Sequence, residues 1–100
     1  MQTRHVNSLM EVLEDVRDVG FSEIRKSALR AWYSRERITK PVWRDIQEKW
    51  EEVSDDPLFI GELEGSYALI IGAGLEASAN AWYQPLIRWA EIEPIKRNIL

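Results

Sequence analysis

Residues 66–83, SYALIIGAGLEASANAWY, hold the densest apolar run of the chain, Tyr67 through Leu75, and their reading decides the fold. Read as a helix, the stretch opens at Ser66, whose hydroxyl can accept a hydrogen bond from a free amide of the first turn. Small residues recur every fourth position at Ala73, Ala77 and Ala81, and again at Ala68 and Gly72. That spacing places them on one helical face, which admits a neighbouring helix closely. Leu69, Ile70, Leu75 and Trp82 fill the remaining sides. A helix apolar nearly all round is the centre of a bundle or a membrane span. The run is about half of the roughly 20 residues that a span needs, which rejects the membrane.

The competing reading is a hairpin, with LFIGELEG (58–65) and YALIIG (67–72) as two glycine-punctuated strands. The helix is preferred because Leu75 to Trp82 has no natural place in a hairpin. The expected fold is therefore all-α, a small single-domain bundle of roughly four to five helices around a buried central one. The alternative is α+β, with a small hairpin around 58–72.

Outward from this stretch, the flanking segments carry helical periodicity. Leu9, Val12, Leu13, Val16 and Val19 follow a 3.6-residue period, opened by Ser8 and Glu11 at capping-box spacing and closed by Gly20. Residues 1–7 are expected to fray. Ser22 is expected to cap a second helix reaching about Glu36, with Leu29, Trp32 and Tyr33 on its apolar face. Thr39 caps a third, Pro41 sits in its first turn, and Val42, Trp43, Ile46, Trp50 and Val53 form its stripe. Ser54-Asp55-Asp56-Pro57 ends it, and Pro85 opens a last helix carrying Leu86, Ile87, Trp89 and Ala90.

A chain of 100 residues with 45% hydrophobic and 30% charged residues makes one folded domain. It has no cysteine, so disulfides, thiolate metal sites and cysteine nucleophiles are excluded. MQTRHVNSLM lacks the apolar centre of a signal peptide, and a cytoplasmic protein is expected. The single histidine, His5, lies in the frayed lead-in, and no metal-ligand spacing occurs, so neither catalysis nor a metal or cofactor is expected. Gly72-Ala73-Gly74 lacks the remainder of a phosphate loop.

Charge is segregated along the chain. Arg25 to Arg44 holds seven basic residues against Glu36 alone, whereas Asp45 to Asp56 holds six acids against Lys49. Glu11 to Asp18 adds four acids and Arg17. Solvated faces paired within the domain account for such a pattern without any function. Two functional readings go beyond that. In the first, a non-enzymatic interaction module docks charged helical faces on a protein partner, such as a basic nucleic-acid-binding protein, and inhibits it. Its contact residues are Glu14, Asp15, Asp18, Arg30, Arg35, Arg37 and Trp50. Small phage-encoded inhibitors of nucleoprotein complexes offer an analogy of class alone. Trp50 and Trp89 are the tryptophans expected to be partly exposed, and a homodimer is a further option.

In the second reading, residues 23–53 form a helix-turn-helix DNA-binding regulator. Arg35, Arg37, Lys40, Arg44 and Gln47 would face the nucleic acid, across a short turn at Arg37-Ile38-Thr39. Asp45, Glu48, Glu51 and Glu52 on the same helix, and a formal net charge of −4, weigh against it. Direct nucleic-acid binding is thus the lesser expectation.

Overall fold

In the computed structural model, which describes residues 2–72 and 82–91, the chain is α+β rather than all-α. The order is α1 (Thr3–Val19), β1 (Phe21–Arg25), α2 (Lys26–Tyr33), α3 (Lys40–Val53), β2 (Leu58–Glu62), β3 (Ser66–Ile71) and β4 (Tyr83–Pro85), with helix again over residues 86–91. The strands form one antiparallel sheet in the order β1-β3-β2-β4.

The first part of the expected central helix is thus one of the two inner strands of a sheet, and the hairpin alternative is the observed one. Leu69 stands opposite Ser22 on one side and Ile60 on the other. A strand flanked by neighbours and buried on both faces has no polar alternation, so its sequence reads as an unbroken apolar run. The small-residue face at Ala73, Ala77 and Ala81 lies outside the described residues.

Helices cover one face of this sheet. Ile24, Leu58, Ile60, Tyr67 and Leu69 share a core with Leu9, Leu13 and Val16 of α1, Leu29 of α2, Trp43, Ile46 and Trp50 of α3, and Leu86, Trp89 and Ala90. Trp43 meets the Tyr67 ring edge-on at 4.8 Å between centroids and the Trp89 ring at 6.2 Å. Such perpendicular aromatic pairs add about 0.5–1.5 kcal/mol beyond the area they bury.

On the other face, Phe21, Ile70, Phe59 and Pro85 form one row across all four strands. The Trp82 indole lies against Gly61, in the space that a Cβ would occupy. A glycine is required there for the ring to approach the backbone.

Several expected boundaries move. Within the expected lead-in the chain is helical from Thr3, where α1 begins, and the Ser8 hydroxyl donates to the Arg4 carbonyl at 3.0 Å instead of capping. Ser22 and Glu23 belong to β1, and α2 begins only at Lys26. The turn before α3 is longer than Arg37-Ile38-Thr39, spanning residues 34–39, and Ile38 is buried within it.

Other boundaries hold. Gly20 ends α1 in the left-handed region (φ 102°), its amide donating to Val16 and its carbonyl accepting from Ile71 at 3.0 Å. Helix and sheet are thereby joined within a single residue. Thr39 and Pro41 do start α3, although the Thr39 side chain makes no capping bond.

Leu69 is 1% exposed at the centre of the sheet. Leu69→Ala should lower stability by about 2–5 kcal/mol, the range for truncating a fully packed leucine. A urea melt with an unchanged midpoint would show that the strand is not held between its neighbours.

Candidate functional site

The sheet and α1 support α3 from beneath, and the helical residues 86–91 lie beside it. Pro57 turns the chain from α3 into β2, and Pro85 turns β4 into the last helical segment. Between α3 and that segment runs an open groove of two adjoining hollows, about 330 and 420 Å³. Both are lined by Gln47, Glu51 and Ile87. Arg44, Glu48, Ala90 and Glu91 wall one end, and Ser54, Asp55, Asp56 and Pro57 wall the other.

The groove pairs an apolar spot with acid walls. Ile87 is 65% exposed within it, a large apolar side chain left in water. Among the described lining residues, five carboxylates, Glu48, Glu51, Asp55, Asp56 and Glu91, stand against the single cation Arg44. That cation is already engaged. Glu91 receives the Lys40 ammonium at 2.7 Å on one oxygen and the Arg44 guanidinium at 3.0 Å on the other. Hydrogen bonds from Lys40 and then Arg44 hold the Glu91 carboxyl below its ordinary pKa. The Gln47 amide donates to Glu51 at 3.4 Å, while its buried side-chain oxygen has no partner among the described residues.

Beneath α3, Asp45 ties the end of α2 to the helix. The Tyr33 hydroxyl donates to it at 2.6 Å and Lys49 at 2.7 and 2.8 Å. Burial pushes the Asp45 carboxyl upward, but the bonds from Lys49 and Tyr33 together outweigh it, and its pKa lies below the ordinary value. Tyr33 is driven the other way, first by burial and then by Asp45, so the phenol remains a donor at neutral pH.

The residues expected to meet a protein partner fall into three places. Glu14, Asp15 and Asp18 are exposed along α1, and Arg17 pairs with Asp18 at 2.8 Å, holding that carboxyl low. Arg30 is half-buried on α2, and Arg35 and Arg37 are exposed in the 34–39 connection, none of them ion-paired among the described residues. Trp50 is a correction: it is fully buried, and its indole N–H donates to the Asp56 carbonyl at 2.6 Å. That bond resolves the need of a buried indole for an acceptor and pins the end of α3 to the turn into β2. Trp89 is likewise buried, whereas Trp82 is 55% exposed.

Of the residues expected to read DNA, Lys40 and Arg44 are held by Glu91, and Gln47 is half-buried. The acid half of the groove is visible in the chain as a run of charge from Asp45 to Asp56. Its Ile87 and Glu91 wall is not, because only the tertiary fold brings residues 86–91 beside α3. Among the described residues no group of side chains could hold a metal ion, and no helix is long and apolar enough to cross a membrane.

Tyr33→Phe should raise the Asp45 pKa, as read by carboxyl NMR titration. A depressed carboxylate pKa stabilises the fold above the unfolded value, 3.8 for aspartate, and this contribution is lost as pH falls through the folded value. The stability lead of the wild type over Tyr33→Phe should therefore be full near neutral pH and shrink on acidification. A lead that grew below about pH 3 would contradict that linkage.

Compared with protein-family models, curated proteins and solved structures, the chain matches none significantly.

Proposed function

We propose that this chain is a non-enzymatic protein-binding module that engages a basic partner through its acidic helical surface, with the α3 groove as the principal contact. The observation that carries this is the exposed Ile87 set among Glu48, Glu51, Asp55, Asp56 and Glu91. An apolar anchor with a mainly acidic rim selects an amphipathic cationic segment, with Glu48, Glu51, Asp55 and Asp56 as the rim's carboxylates outside the Lys40–Glu91–Arg44 cluster. The anchor supplies burial, and the rim steers approach and excludes acidic competitors. Glu14, Asp15 and Asp18 on α1 extend the same preference to a second surface.

A nucleic-acid-binding protein has a surface of the matching sign, and covering it would block its ligand, which is the inhibitory form of this reading. A cysteine-free chain is suited to such work in the cytoplasm. Direct DNA binding is the weaker reading: Arg35 and Arg37 are exposed and without an ion pair among the described residues, but Lys40 and Arg44 are committed to Glu91 and Gln47 is half-buried.

A synthetic helix alternating lysine and leucine faces should bind the protein, more weakly as salt rises from about 50 to about 300 mM. Glu51→Lys with Asp55→Lys should reduce affinity at least about tenfold, since two contacts become repulsive. Ile87→Ser should weaken binding without changing its salt dependence. Undiminished binding by both variants would remove the groove from the interface. Loss on Asp15→Lys with Asp18→Lys instead would transfer the contact to α1.

A further inference from the structure

The two edges of the sheet are not equivalent. Amides of Ile71 and Lys26 donate to the carbonyls of Gly20 and Gly65, each at 3.0 Å, and these bonds bracket the β1·β3 ladder. Antiparallel pairing alternates, so Ser22 and Ile24 exchange bonds with β3. Phe21, Glu23 and Arg25 then turn their backbone groups away from the sheet. At the opposite edge, Gly72 donates to Pro57 and Leu63 to Ser66, which sets the odd-numbered residues of β2 toward β3 and Ile60 toward Gln84. Tyr83 and Pro85 therefore face outward from β4, and Pro85 has no N–H to offer. The β4 edge is closed by its proline, a common device at sheet edges, whereas Phe21 to Arg25 contain no proline.

The side chains of β1 fit a particular occupant. Phe21 is 50% exposed and Val19, just before the strand, 79%. Glu23 and Arg25 are both exposed, two residues apart and on the same face. Glu23 accepts a hydrogen bond from Ser66 through one carboxylate oxygen only, and Arg25 has no charged partner among the described residues. A strand carrying a negative and a positive residue at that spacing is complementary to itself when reversed.

We propose that β1 is the docking edge for a second copy of this chain, the two strands running antiparallel about a two-fold axis with Glu23 of each opposite Arg25 of the other. In this register the outward N–H and C=O groups of both residues bond across the axis, and Ile24 faces its own copy. Sliding by one step places Glu23 against Glu23, and sliding the other way places Arg25 against Arg25. Like charges directly opposed destabilise a pair of strands, whereas opposite ones stabilise it, so charge selects the register. The interface uses none of the groove residues and stands independently of the groove's role.

Sedimentation velocity over about a hundredfold range of protein concentration reads the association, because mass action must shift it. The wild type should dimerise. Glu23→Arg and Arg25→Glu alone should each weaken dimerisation about tenfold, by turning two attractive pairs into repulsive ones. The double variant Glu23→Arg, Arg25→Glu should restore it, because each copy again meets its opposite. In either slipped register the double variant would still set like charges against each other, so restoration identifies the pairing proposed. A wild type monomeric throughout, single variants that dimerise as well as the wild type, or a double variant left monomeric would overturn it. Amide exchange of the wild type gives a reading free of any folding defect in the variants. The amides of Phe21, Glu23 and Arg25 should gain protection as concentration rises, and constant protection would overturn the proposal equally.

Discussion

Everything in this fold leans on the lateral bonding of β3. Its two edges are occupied, by β1 on one side and β2 on the other, and Tyr67, Ala68 and Leu69 are buried. Removing such a strand's partners would leave backbone amides and carbonyls unpaired in an apolar interior, at a cost of about 1–3 kcal/mol for each. The helices are arranged to keep that from happening. α1 packs against β1, and α2 continues directly from it. Lys26, the first residue of α2, reaches the Glu62 carboxylate at 2.6 Å and sits over the Tyr67 ring, tying the start of the helix to the far end of β2.

The two halves of that bonding differ in how they form. β2 and β3 are joined by a tight hairpin through Glu64 and Gly65, a local contact. β1 pairs with β3 only after the chain has passed through α2, α3 and β2. Loop closure of that length is the slow part of assembling a mixed fold. The Asp45 junction to Tyr33 and Lys49 fastens the end of α2 to α3 within the segment that must be traversed before that pairing can close.

How much of this the sequence discloses depends on whether each element is buried on one side or two. α1 and α3 are buried on one side, and Leu9, Leu13, Val16 and Val42, Trp43, Ile46, Trp50 spell out their inward faces with a helical period. β3 is enclosed, so its residues show neither period. β1 is too short to speak for itself: Ser22-Glu23 looks like the start of a helix, and only the demand of β3 for a neighbour makes it a strand. The same limit applies to the candidate site. The acid block from Asp45 to Asp56 is plain in the chain, but Ile87 and Glu91 join it only through tertiary structure. Charged neighbours suggest a surface position for Trp50, although its place on the α3 stripe already points inward.

Among the five tryptophans, Trp43, Trp50 and Trp89 are enclosed and Trp32 is half-covered, while the Trp82 ring rests on Gly61 with its other side in solvent. The chain therefore carries a built-in optical reporter on the sheet face away from the helices. A quencher dissolved in the buffer reaches that one indole first, so the accessible fraction of the emission follows events on that face while the enclosed rings report on the interior.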